Sequence, residues 1–194
     1  MKTLLLLTLT TLISLAQSTG NYQIEITSTA SASHSQFKIY VLKSGDTTKI
    51  LYSKRKEGEL KPTKEDSLKI EELAKTFDDP ETRKQLIQII EKYEVFEKDS
   101  LIISSNHPLL HLSDSLSKEK TLTVDEQNKN RIVLDGTRAV VKVKHENMPA
   151  YELYAVSPQK DTHPLLYQFI TSALELYRSN AEKPILNKSD TQGY

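Results

Sequence analysis

Residues 138–156 read RAVVKVKHENMPAYELYAV, and this stretch decides the fold. Ala139, Val141 and Val143 alternate with Arg138, Lys142 and Lys144, the period-two pattern of a strand with one face buried. Residues 146–149 form a polar turn closed by Pro149, and residues 150–156 return as a second strand. Just upstream, residues 131–134 lead into Asp135-Gly136. Both positions of that pair tolerate positive φ, so a further hairpin is expected there.

Toward the N-terminus the same alternation recurs. Tyr22, Ile24 and Ile26 mark an opening strand, which residues 27–35 either extend or leave as a loop. Phe37, Ile39 and Val41 mark a second strand. A turn at Ser44-Gly45-Asp46 follows, and Ile50 and Tyr52 mark the return. Thr63 before Lys64-Glu65-Asp66 has the chemistry of a helix N-cap. Leu68, Ile70, Leu73, Ala74 and Phe77 then recur at helical spacing. Asp79-Pro80 starts a second helix carrying Leu86, Ile87, Ile89, Ile90 and Tyr93. Joined so tightly, the two are expected to form a helical hairpin covering one side of the sheet.

Val95, Phe96 and residues 101–103 predict a strand, residues 104–120 give a weak pattern, and residues 121–124 predict another short strand. Thr162 and Pro164 open a last helix with an apolar stripe from Leu165 to Tyr177. His-Pro-Leu-Leu occurs twice, at residues 107–110 and 163–166, and a shared capping solution explains it better than duplication. The expected fold is α+β. Five to seven antiparallel strands built from hairpins carry about three helices, packed mainly on one face.

Lys2, the apolar run 4–15 and the small residues Ser14 and Ala16 have the pattern of a signal peptide, residues 1–16. Cleavage is expected after Ala16 or Ser18. Residues 17–180 then form one α+β domain and residues 181–194 a polar tail that frays. The run is well short of the roughly 20 apolar residues that a span needs, so no stable membrane span is expected after cleavage. Export to a periplasm or cell exterior is the expected localisation. A chain of that length without cysteine holds together by packing alone.

Charge is balanced, with 26 basic and 26 acidic residues. Nucleic-acid binders gather a basic surplus on one face, and no run of the sequence supplies one, so no nucleic-acid partner is expected. The five glycines are not clustered, and neither a phosphate-cradling loop nor a Gly-x-Ser-x-Gly elbow occurs.

His107, His111 and Asp114 have helical metal-site spacing, but Pro, Leu and Leu intervene and His107 falls at the helix start. Ser105, His107 and Asp114, or Ser157, His163 and Asp161, assemble a triad only on paper, because such a triad is a matter of geometry. No catalytic, cofactor or metal residue is therefore assigned and no cofactor is expected. The leading expectation is a non-enzymatic exported binding domain with a protein, peptide or glycan partner. The alternative is a secreted hydrolase or metal-dependent enzyme using His107, His111 and Asp114.

Overall fold

In the computed structural model, residues 20–31, 35–56, 60–129, 133–134 and 136–194 are described. The proposed leader, residues 1–16, lies outside them, as does Asp135.

Six strands form one antiparallel sheet: β1 (Tyr22–Ala30), β2 (Gln36–Ser44), β3 (Thr47–Lys56), β4 (Val95–Ser104), β5 (Thr137–His145) and β6 (Tyr151–Val156). Their spatial order is β4-β3-β2-β1-β5-β6. Among the described residues five α-helices accompany it: α1 (Lys64–Ala74), α2 (Pro80–Glu91), α3 (Pro108–Leu116), α4 (Thr121–Asn128) and α5 (Pro164–Asn180). The α+β class and hairpin-built sheet are as the sequence predicts, with two more helices than expected.

The register explains the core. Ile24 faces Val41 and Val143 across the strands, and Ile26 faces Ile39 and Val141. Val41 meets Ile50, and Ile39 meets Tyr52. Alternate residues of the central strands thus join one buried face. Over it lies α5, whose Leu166, Phe169, Ile170, Ala173, Leu174 and Tyr177 are buried at helical spacing. Each large side chain buried this way contributes about 1.5–3 kcal/mol. Tyr52 stacks on Tyr177 with ring centroids 4.2 Å apart and donates to the Ala173 carbonyl at 2.9 Å. The Tyr177 hydroxyl donates to Asp99 Oδ2 at 2.8 Å, tying α5 to β4.

Both His-Pro-Leu-Leu stretches begin helices that pack on each other, α3 and α5. His107 and His163 are the N-cap residues and Pro108 and Pro164 the first helical residues, where a missing N–H costs nothing.

The expected Asp135-Gly136 hairpin falls largely outside the described residues, and Gly136 itself sits where a Cβ would run into the Ser157 side chain. Three expectations need correction. Residues 121–124 are helical, because α4 lies along β6 and meets it through side chains. The α1–α2 hairpin forms, but its buried Leu86 and Ile89 stand outside the core cluster of the sheet. The segment after Asn180 is polar yet packed. Leu186 and Thr191 are fully buried, a short 3-10 turn spans Lys188–Thr191, and Tyr194 sits edge-on against Phe37.

Candidate functional site

Several of the residues singled out for chemistry make structural contacts, and others are simply exposed. His107 accepts the Leu109 N–H through Nδ1 at 3.2 Å. His111 is exposed on α3. Asp114 turns elsewhere, accepting from the Tyr22 hydroxyl at 2.7 Å and from Lys43 Nζ at 2.8 Å. Among the described residues, no group of three or more His, Cys, Asp or Glu side chains is placed to hold a metal ion. In the second paper triad, Ser157 Oγ accepts the Thr137 N–H at 3.0 Å and Asp161 is exposed. His163 is buried. Its Nε2 donates to Asn128 Oδ1 and its Nδ1 meets the Thr162 hydroxyl, each at 3.1 Å.

A polar cluster closes one end of the sheet. The Tyr22 hydroxyl contacts both Ser113 Oγ and Asp114, and burial with the neighbouring carboxylate pushes its pKa well up, so it stays protonated. His145, opposite Tyr22 in the register, is a residue that sequence reasoning passed over. Its Nε2 lies 2.8 Å from the Ser117 carbonyl, which also accepts from the Tyr151 hydroxyl at 2.8 Å. A carbonyl only accepts, so Nε2 carries the proton. His145 walls two shallow clefts of about 640 and 350 Å³. Leu122 and Met148 line the larger and Lys43 and Lys144 the smaller.

The far side of the sheet is the larger feature. No described helix buries it, and none of its side chains is buried. The register lays it out in rows. Ile102, Lys49, Leu42, Gln23 and Lys144 form one, and Ser100, Leu51, Tyr40, Glu25, Lys142 and Glu152 the next. Lys98, Ser53, Lys38, Thr27, Val140 and Tyr154 make the third, and Arg55 and Arg138 stand in the fourth. Seven cations therefore stand in these rows against two carboxylates, with Glu94 beside Arg55 a third, on a chain that is neutral overall.

Some of that charge is answered locally. Lys38 lies 3.8 Å from Glu25, Lys142 3.3 Å from Glu152, and Arg55 3.6 Å from Glu94. Lys49, Lys98 and Lys144 make no ion pair among the described residues, and Arg138 lies over the Tyr154 ring at 5.2 Å. Between the cations stand Leu42, Leu51, Val140 and Ile102, the last 72 % exposed. The expectation of no basic face came from reading charge along the chain. Outward strand positions collect it only once six strands are in register.

Comparisons with protein-family models, with curated proteins and with solved structures found no match.

Proposed function

We propose that this protein is an exported, non-enzymatic binding module, and that its open sheet face docks an acidic protein surface. The observation that carries the reading is the excess of cations over carboxylates on an uncovered six-stranded face. Cations at such a face speed encounter with an acidic partner and reject basic ones. The aliphatic side chains among them favour a protein over a bare polyanion. Leu42, Leu51, Val140 and Ile102 offer apolar contact that a nucleic acid or an acidic glycan leaves unused. Export rests on the leader pattern of residues 1–16, and recovery of mature protein beginning near Gln17 is the outcome that supports it.

The test uses labelled poly-L-glutamate, a double-stranded oligonucleotide and hyaluronate, each titrated with the protein at low and physiological salt. Polyglutamate is expected to bind best and to weaken as salt screens the charges. The variant Lys49→Glu/Lys98→Glu/Lys144→Glu should lose about tenfold or more in affinity, since like charges then oppose the partner. Equal binding by this variant, or preferential binding of the oligonucleotide, would reject the reading.

A further inference from the structure

The two outer edges of the sheet are treated differently. At β6 the edge is sealed from within the chain. Asn128 Nδ2 donates to the Tyr154 carbonyl, Asn128 Oδ1 accepts the Val156 N–H at 2.9 Å, and Thr121 Oγ1 donates to the Glu152 carbonyl at 3.3 Å. One helix thus stands in for a neighbouring strand along β6.

At β4 no described strand pairs with the outer edge. Open edges invite another strand unless charge or shape prevents it. The first half of β4 carries Glu97, Lys98 and Asp99, which blunt it. The second half, residues 100–104, reads Ser-Leu-Ile-Ile-Ser and carries no charge. Two contacts show which backbone groups point away from β3. The Ser100 N–H is taken by the side chain of Asp99 at 2.7 Å, and the Ser104 carbonyl accepts the His107 N–H at 3.1 Å. Alternate residues of an antiparallel strand direct both backbone groups the same way. Ile102, between those two, therefore aims its N–H and its carbonyl outward.

We infer that residues 100–104 of β4 accept an extended acidic segment of the partner as a seventh strand. This rests on the reading of the open face as the docking surface. An added strand places its open-face side chains beside Lys98 and the Lys49–Ile102 row, where carboxylates meet cations that have no ion pair among the described residues. Its other side chains lie beside Leu101 and Ile103 on the helix-covered side, where apolar residues fit. The chemistry recognised is thus an extended peptide of alternating acidic and apolar residues, the mode in which main-chain hydrogen bonds bind and alternate side chains specify. A second copy of this chain fits less well, since β4 pairing with itself about Ile102 sets Ser100 and Ser104, and no carboxylate, beside Lys98 and the Lys49–Ile102 row.

The test titrates two synthetic peptides of equal charge, one alternating Glu and Val, one Glu- and Ala-rich and helical, into the ¹⁵N-labelled full chain. The extended peptide should protect the amides of residues 100–104 from exchange and bind at least tenfold more tightly than the helical one. Ile102→Pro removes the outward N–H and should cut that binding tenfold. It should still bind polyglutamate, whereas Lys49→Glu/Lys144→Glu should lose it. Equal binding of the two peptides, unaffected by Ile102→Pro, overturns strand addition and leaves the basic face standing. Loss of polyglutamate binding in no variant overturns the face itself. Concentration-dependent dimers abolished by Ile102→Lys would assign the edge to a second copy and also overturn the proposal.

Discussion

Asn128 joins three pieces of chain with one side chain: two backbone groups of β6 and the buried imidazole of His163. Removing it takes away the oxygen to which the buried His163 Nε2 donates, and breaking one side of a buried hydrogen bond costs about 1–3 kcal/mol. Asn128→Ala should lower the unfolding free energy by about 2 kcal/mol in urea titration, and His163→Phe should recover part of that in the double variant. The tyrosines give a second prediction at this scale. Burial pushes the Tyr177 hydroxyl up to about 12, and Tyr22 and Tyr52 are raised as well, again chiefly by burial. A raised folded-state pKa gives stability that is complete below the unfolded value near 10 and lost as pH rises past it. Stability should therefore fall steeply above about pH 10. Absorbance at 295 nm should report those hydroxyls ionising only together with loss of the fold. Their independent titration in a folded chain would contradict this. The sequence marks such residues poorly. His107, His145 and His163 look alike along the chain, and only the tertiary neighbours make one a cap, one a cleft wall and one a buried strut.

At the scale of elements, α5 was readable because its apolar stripe alone fixes which side is buried. The β2–β3 hairpin was readable because Gly45 takes the positive φ that its two-residue loop requires. The α4 segment was not, since its β-branched Thr121, Thr123 and Val124 satisfy a strand pattern while the edge of β6 selects a helix. The α1–α2 hairpin was legible in itself but misplaced. It is inserted between Lys56 and Val95, which oppose each other in the register. Its buried residues lie outside the sheet core. Replacing residues 57–94 with Asn-Gly should therefore leave a folded protein, with its strand circular dichroism and cooperative melting retained. Collapse of the melt would show that the hairpin is part of the core. Leu60, Leu68, Phe77, Ile87 and Ile90 are exposed on this segment, so the shortened chain should also be more soluble.

At the scale of the whole molecule, charge is segregated although it sums to zero. The open sheet face holds seven of the cations, while α1 carries four carboxylates against two lysines and α4 two against none. The β-strand alternation was legible and so was the outward direction of Arg138, Lys142 and Lys144. Their convergence with Lys38, Lys49, Arg55 and Lys98 was not, because strands distant in sequence contribute adjacent rows. A buried face covered by α3 and α5 and an uncovered basic face together make a molecule with one side for stability and one for encounter. Substitutions should separate accordingly. Lys49→Ala and Lys144→Ala should change the melting temperature by no more than about 2 °C while weakening polyglutamate binding several-fold, because exposed surface changes stay within about 0.5 kcal/mol. Leu174→Ala, at a fully buried position, should cost about 2–5 kcal/mol and leave the affinity of the folded fraction unchanged. The most direct measurement is backbone amide mapping of the ¹⁵N-labelled chain during titration with polyglutamate. The account predicts shifts centred on residues 23, 38, 49, 98, 138, 142 and 144, fading as salt is raised. Shifts confined to the larger His145 cleft, lined by Leu122 and Met148, or to α1 and α2 would contradict it.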